Sequence, residues 1–300
     1  MHSFTFSFDN KNKAVFRMLS AFAGTLAIAV LASEALLRTQ VLPQDSYASH
    51  VSILETTDRS DVAFGDSRTA RGFVAGEGFV NLAFPSEGIS HMAWKVERHF
   101  AERQPGRVIL QADPHLFAAY RLNRRFEPYP EFSAEPAAAT GLFVTDPRHR
   151  ARLPGYWTRF VENGFSLESK VIQTPDGALL SPGDFSDLDP RAQMLQAKKR
   201  AITHRAGPSQ QVMTAQAEYS KMLDALVERG ADVCLVSYPV SQPYLDAVGY
   251  ASQGHIRFFK GESQRTGARY VDARSAVSNP SFSAIPITST LKVQRPSPEL

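Results

Sequence analysis

The sequence predicts an α/β fold, a three-layer sandwich on a parallel five-stranded sheet, preceded by one transmembrane helix. Three observations predict it. Short apolar runs alternate with helical patterns along the chain, one of those runs ends in Gly65-Asp66-Ser67, and a long apolar stretch lies near the N-terminus. Strands that alternate with helices favour a parallel sheet covered on both faces.

The apolar stretch comes first. Residues 18–37 read MLSAFAGTLAIAVLASEALL, twenty residues with Glu34 as the single charge. About 20 apolar residues span the hydrocarbon core of a bilayer as a helix. Lys11, Lys13 and Arg17 precede it and only Arg38 follows closely. The positive-inside rule then makes residues 1–17 a cytoplasmic N-terminus and 18–37 a signal anchor in the inner (cytoplasmic) membrane. The remainder is extracytoplasmic, and periplasmic in a bacterium. A signal peptide cleaved after Val30-Leu31-Ala32 is the rival reading. A buried helix of a soluble protein is the third, opposed by the all-round apolar surface and the basic flank. Residues 38–60, with Pro43 and several Ser, Thr and Asp residues, read as a stalk.

Five strand candidates follow, at 62–65, 80–83, 108–112, 233–237 and 270–271. Pro85-Ser86-Glu87 reads as a helix start that continues over 91–103. A second helix over 211–229 carries Met222, Leu223, Leu226 and Val227 on one face and stops at Gly230. A third spans 253–265. These elements make residues 61–282 one domain. Between 120 and 208 the pattern is poor, with frequent Pro, Gly and Arg and with Phe126, Tyr129, Phe132, Tyr156, Trp157 and Phe160 scattered through it. An insertion of that length over the sheet rim is expected as a lid or binding surface.

At 300 residues and 43% hydrophobic composition the chain can build a sizeable core. A formal charge of +3, without a basic-aromatic pattern, argues against nucleic acid as a partner. Cys234 is the single cysteine and lies in the apolar run Val233-Cys234-Leu235-Val236, so it reads as core and has no intramolecular disulfide partner.

The candidate site starts at Val62-Ala63-Phe64-Gly65-Asp66-Ser67-Arg68-Thr69. A buried strand that ends in Gly-Asp-Ser delivers a serine to the rim of a sheet, where its hydroxyl can act as nucleophile. Such tripeptides also make ordinary turns, and only the strand before it separates the two readings. Ser67 is the candidate nucleophile, and Asp66 is expected to orient its turn. Arg68 either binds an anionic substrate or forms a salt bridge. His91 and His99 share a helix and read as surface or core-edge groups. His115 follows the third strand in Asp113-Pro114-His115 and is near enough in sequence to approach the rim. His149, His204 and His255 read as solvated, and Asp272 as the cap of the turn after the fifth strand. No histidine pair has metal-ligand spacing, so no metal or other cofactor is expected.

These motifs resemble a membrane-anchored member of the SGNH/GDSL hydrolase superfamily. The closest branch is that of periplasmic proteins accompanying polysaccharide or teichoic-acid acylation. The resemblance spans roughly 61–282 and rests on Phe64-Gly65-Asp66-Ser67-Arg68-Thr69, on the block from Asn81 to Ser90 and on Val108-Ile109-Leu110-Gln111-Ala112-Asp113-Pro114. It implies that Ser67 attacks an ester carbonyl. It also implies that backbone N–H groups of Ser67 and Gly88 help to form the oxyanion hole. A third donor, an asparagine in the family, falls at Asp113 here. The general base and its carboxylate partner come from an Asp-x-x-His block near the C-terminus.

No such block follows the fifth strand. The tail after Phe282 reads SAIPITSTLKVQRPSPEL, without aspartate or histidine and without a helical period. The first two bases of each codon are largely fixed by the protein. Read in the frame where they become the last two, residues 284–290 permit Gly-Asp-Pro-Asp-His-Leu-Asn. Residues 291–296 then permit Ala-Glu-Gly-Ala-Ala-Ala, a helix-forming run. The expectation is a one-base slip near Ser283, in the gene or its sequencing, which makes residues 283–300 an aberrant tail. The opposing reading is a divergent tail on an inactive homologue.

The expected function is an extracytoplasmic serine esterase or O-acyltransferase acting on a cell-surface glycan, impaired in the chain as it stands. A membrane O-acyltransferase is a possible partner. A non-catalytic, membrane-anchored protein that binds glycan or acyltransferase is the alternative, and a small-molecule or lipid esterase is a third option.

Overall fold

The computed structural model describes residues 9–41, 46–73, 76, 78–123, 142–145, 150, 153–167, 172–180 and 188–276. The tail 283–300, Phe126, Tyr129, Phe132 and His149 lie outside the described residues. The chain divides into two compact units, one of Met1–Asp45 with Ala134–Ser169 and one of Ser46–Ser133 with Lys170–Leu300.

The first unit is built on helix α1 (Asp9–Leu36), which ends in a π-helical turn over Leu37–Val41. Its stretch Val15–Val41, with a mean hydropathy of 1.9 over its 18-residue window, is long and apolar enough to cross a membrane. Val15, Phe16, Leu19, Phe22, Ile28 and Leu31 are all exposed. The far end is different. Leu36, Leu37 and Val41 are buried with Tyr156 and Leu167, and Trp157 and Phe160 pack on the same cluster. Three of the six aromatic residues assigned to the insertion therefore serve the end of the apolar helix. The polar groups there are matched: Trp157 Nε1 donates to Ser33 Oγ at 3.1 Å, and Glu34 accepts from Arg38 Nε at 2.7 Å and from the Val144 N–H at 3.0 Å.

The second unit holds the sheet. Helix α2 (Ser46–Thr56) comes first. It occupies part of the expected stalk, because Val51 and Leu54 share a face and are buried. Then come β1 (Asp61–Phe64), α3 (Ser67–Gly72), β2 (Phe79–Asn81), α4 (Ile89–His99), β3 (Arg107–Gln111) and the short α5 (Ala119–Leu122). Helix α6 (Leu153–Glu162) belongs to the first unit. The second unit resumes with a small antiparallel hairpin of β4 (Ile172–Gln173) and β5 (Leu179–Leu180). It closes with α7 (Pro190–Thr203), α8 (Ser209–Glu228), β6 (Asp232–Ser237), α9 (Gln242–Val248), α10 (Gln253–Thr266) and β7 (Arg269–Asp272).

The main sheet has five strands in the order β2-β1-β3-β6-β7, every neighbouring pair parallel. All five expected strands form, each starting one residue before its sequence-based position, and the second ends two residues earlier than expected, at Asn81. Their side chains alternate between two cores, as the period of two requires. Val62, Phe64, Val108, Leu110, Val233 and Leu235 face α4, α8 and α10, packing on Met92, Val96, Leu223, Leu226 and Phe259. Ala63, Ile109, Cys234 and Val236 face the other way, on Phe73 and Tyr238.

The two faces are covered unequally, and connection handedness gives the reason. Parallel strands are joined by right-handed crossovers. The links from β2 to β3, β3 to β6 and β6 to β7 run in one direction across the sheet, so α4, α8 and α10 all fall on one face. The link from β1 to β2 runs the opposite way and puts α3 on the other. What stands is an α/β fold with an all-parallel sheet.

Candidate active site at the carboxyl rim of the sheet

The chain leaves β1 for β2 on one side and later returns past β1 to place β3 on its other side. That reversal opens a crevice between the carboxyl ends of β1 and β3, the usual ligand position in open parallel sheets. Gly65-Asp66-Ser67 leaves β1 there, and Ala112-Asp113-Pro114-His115 leaves β3 beside it.

The first turn is tightly specified. A Cβ on Gly65 would collide with the side chains of Thr69 and Gln111, so only glycine fits. Asp66 caps α3, its Oδ1 accepting the Arg68 N–H at 2.8 Å. Its own N–H donates to Gln111 Oε1 at 2.6 Å, and Gln111 Nε2 donates to Asp113 Oδ2 at 2.8 Å. Ser67 is the first residue of α3 and is partly exposed. The strand, the turn and the exposed position expected of Ser67 are thus present together.

Asp66 is fully buried and carries the densest set of contacts in the site. Its Oδ2 accepts from His115 Nε2 at 2.7 Å and also pairs with the Arg121 guanidinium. Burial pushes the Asp66 carboxyl up, but His115, Arg121 and the Arg68 N–H outweigh that and hold it well below the usual carboxylate range. His115 is lowered, by burial and by the nearby Arg68. A neutral imidazole beside a carboxylate must put its proton on the shared nitrogen, so Nε2–H donates to Asp66 and Nδ1 keeps a lone pair. That Nδ1 is buried and has no hydrogen-bond partner among the described residues.

Arg121 joins the two halves of the expected oxyanion region. Its guanidinium pairs with Asp66 and also donates to the Glu87 carbonyl. One planar group therefore holds the residues that immediately precede Ser67 and Gly88. Gly88 is the N-cap of α4 with φ −110°, and a Cβ there would meet nothing within 4 Å. Glycine is not required sterically at that position.

Asp113 is buried and takes a different part from the donor the resemblance implies. Its Oδ1 accepts from Arg68 Nη1 at 3.1 Å while its Oδ2 accepts from Gln111. A carboxylate in an ion pair is an acceptor, with no proton to offer an oxyanion. Arg68 makes the salt bridge of its two expected alternatives and also lies over the Tyr244 ring, 5.3 Å from the centroid. Its pKa is raised, the pull of Asp113 outweighing the cost of burial.

Beside this network lies a cavity of about 620 Å³. Arg68, His115, His204, Tyr244, Asp272 and Arg274 are among the residues that line it. His204 is half-buried rather than solvated, because its Nδ1 shares a 2.7 Å hydrogen bond with the Tyr244 hydroxyl and its ring lies 5.0 Å from that of His115. Burial, and next the charge of its neighbours, pushes it down to about 3. His255 packs on Phe117 at 4.8 Å and is likewise only partly solvated. His99 is buried on the Arg59 carbonyl. Asp272 Oδ1 accepts the Arg274 N–H and holds the Arg274 side chain through both oxygens, the capping role expected of it. Among the described residues no three His, Cys, Asp or Glu groups could hold a metal ion.

Sequence reasoning named Ser67, Asp66, Arg68, Gly88 and Asp113, and it weighed His115. It missed Gln111, Arg121, His204 and Tyr244. Gln111 left a legible signal, a polar residue at the end of the apolar run Val108-Ile109-Leu110. Arg121 left none, since it is one of several arginines around residue 120. Comparison with protein-family models, curated proteins and solved structures gave no match. The site therefore has to be interpreted from its own geometry and from the motifs.

Proposed function

We propose that the chain is a membrane-anchored, extracytoplasmic serine esterase or O-acyltransferase of SGNH type that acts on a cell-surface glycan. One observation carries the reading. Gly65-Asp66-Ser67 leaves the carboxyl end of β1 at the reversal of strand order, with a buried, charge-locked Asp66 capping the helix that Ser67 begins. A serine ester reaction needs a fixed hydroxyl, a base and oxyanion donors. The turn fixes Ser67, and Arg121 sets the loops before Ser67 and Gly88 in register. The base is the Asp-x-x-His block that the displaced reading frame restores after Ser283. Glycan as substrate, the periplasmic orientation and an acyltransferase partner rest on the family resemblance and on the basic flank of α1.

The alternative is a non-catalytic binder. It is favoured by one fact: among the described residues no histidine hydrogen-bonds Ser67. Labelling with a fluorophosphonate probe separates the two. The frame-restored protein is expected to label at Ser67 and to lose labelling in Ser67→Ala, and the chain as it stands should label about 10⁴-fold more slowly or worse. Absence of labelling in the frame-restored protein would leave the binding reading. A resequenced gene without a slip near Ser283 would remove the base from the proposal.

A further inference from the structure

We propose that the cavity beside the Asp66 network is an anion-binding subsite, and that the glycan it receives carries a carboxylate or phosphate group. The glycan part rests on the function proposed above; the anion site itself does not.

Charge and anchoring carry the inference. Among the described residues the cavity is lined by Arg68, Lys198, Arg205 and Arg274 against Asp272 alone. Two of the cations are built in. Arg68 is held from behind by Asp113 and lies over Tyr244, with 18% of its side chain exposed. Arg274 is held by both oxygens of Asp272, at 2.8 Å each. Lys198 and Arg205 are exposed, and no carboxylate pairs with either among the described residues. Even after Asp113 and Asp272 are set against Arg68 and Arg274, the wall keeps two uncompensated positive charges.

Size and polarity fit the same ligand. A volume of about 620 Å³ exceeds the needs of a simple inorganic ion and lies within the ordinary range for organic ligands. His204 and Tyr244 supply ring faces and a hydroxyl, surfaces on which a sugar can stack and hydrogen-bond. His115 adds a buried, unpartnered nitrogen on the wall, an acceptor for a ligand hydroxyl. A planar guanidinium held by an anchored partner matches the oxygen geometry of carboxylate and phosphate. A neutral sugar would leave these charges unmatched.

The test is calorimetric titration of the full chain in detergent micelles with three probes: a uronic-acid tetrasaccharide, a neutral tetrasaccharide of equal length, and inorganic phosphate. The acidic tetrasaccharide is expected to bind at least about tenfold more tightly than the neutral one, and progressively less tightly as salt is added. The double variant Lys198→Glu/Arg205→Glu should weaken it by about tenfold or more without moving the melting temperature, because both side chains are exposed. Phosphate bound with the same charge dependence while neither sugar binds would support the anion site and count against the glycan. Equal binding of acidic and neutral sugars would overturn the anion proposal and leave the glycan reading standing. Failure of all three probes, or indifference of the acidic probe to the double reversal, would also overturn it.

Discussion

His50 and His115 are both buried in the sheet-bearing unit, both neutral, and opposite in what they do. His50 lies against Lys95, a fully buried cation whose Nζ also contacts Glu87 and the Leu82 carbonyl at 2.7 Å. Burial, and then the charge of Lys95, lowers His50, so its Nε2 presents a lone pair to the 2.8 Å contact. His115 lies against Asp66, and there Nε2 carries the proton. The sign of the neighbouring charge selects the tautomer. The Lys95 cluster uses all three ammonium donors inside the protein and ties α2, α4 and the loop after β2 together. The Asp66 cluster borders a cavity through His115. An ion cluster that joins two helices and a loop serves the fold, whereas one that opens onto a cavity is suited to a ligand.

The largest effect should come from breaking the closed cluster. Lys95→Met removes the buried cation that pairs with Glu87 and should destabilise the protein by about 3–5 kcal/mol in urea denaturation. Adding Glu87→Gln, which keeps an acceptor for the Phe84 N–H, should recover most of that loss. If the double variant is no more stable than the single one, the Lys95–Glu87 pairing is not what matters there.

A smaller effect should distinguish the rim. His115→Phe leaves Asp66 its Arg121 pair and the Arg68 N–H, so its cost at pH 7 should be about 1 kcal/mol. The pH dependence is more telling. His50, His115 and His204 have folded pKa values below the unfolded value, so the unfolded chain binds protons first. Their stabilising contribution is full above about pH 6.5 and is lost as pH falls, with His204 protonating in the folded state only near pH 3. The Asp66 contribution has the same sign, present above the unfolded carboxylate value of about 4 and lost below it. The urea midpoint should therefore fall on acidification, and less steeply in His115→Phe. An unchanged slope in that variant would mean that folding does not shift the His115 pKa, and a steeper one that His115 is charged at neutral pH.

The smallest effect should come from Gly88→Ala, within about 0.5 kcal/mol, because its φ suits any residue and its Cβ site is open. Gly65→Ala at the equivalent end of β1 should cost clearly more, about 1–3 kcal/mol, since its Cβ would overlap two side chains. Equal melting temperatures for the two variants would break the contrast between a rigid serine turn and a roomy second loop.

The five strands and three of the crossover helices were legible in the sequence because each carries its own period. Val62 to Phe64, Val108 to Leu110 and Val233 to Val236 are apolar runs of strand length, and 211–229 is a helix stripe ended by glycine. Local patterns of that kind fix element type without reference to the rest of the chain. The membrane-length helix was legible for the same reason. Residues 46–56 were not, since their burial depends on a few apolar residues among polar ones and on the sheet that receives them. The unequal cover of the two sheet faces follows from strand order, which no local pattern encodes.

The site divides along the same line. The sequence by itself determined that a glycine, an aspartate and a serine end a buried strand, and that the aspartate orients the turn. Only the tertiary structure decided that Asp66 faces His115 and Arg121, that Asp113 is spent on Arg68, and that four cations gather around one cavity. Those contacts join residues roughly 45 or more positions apart in most cases. Pairings at such separations are set by how the crossovers stack the strand ends, and a side chain's role there depends on the charge it meets.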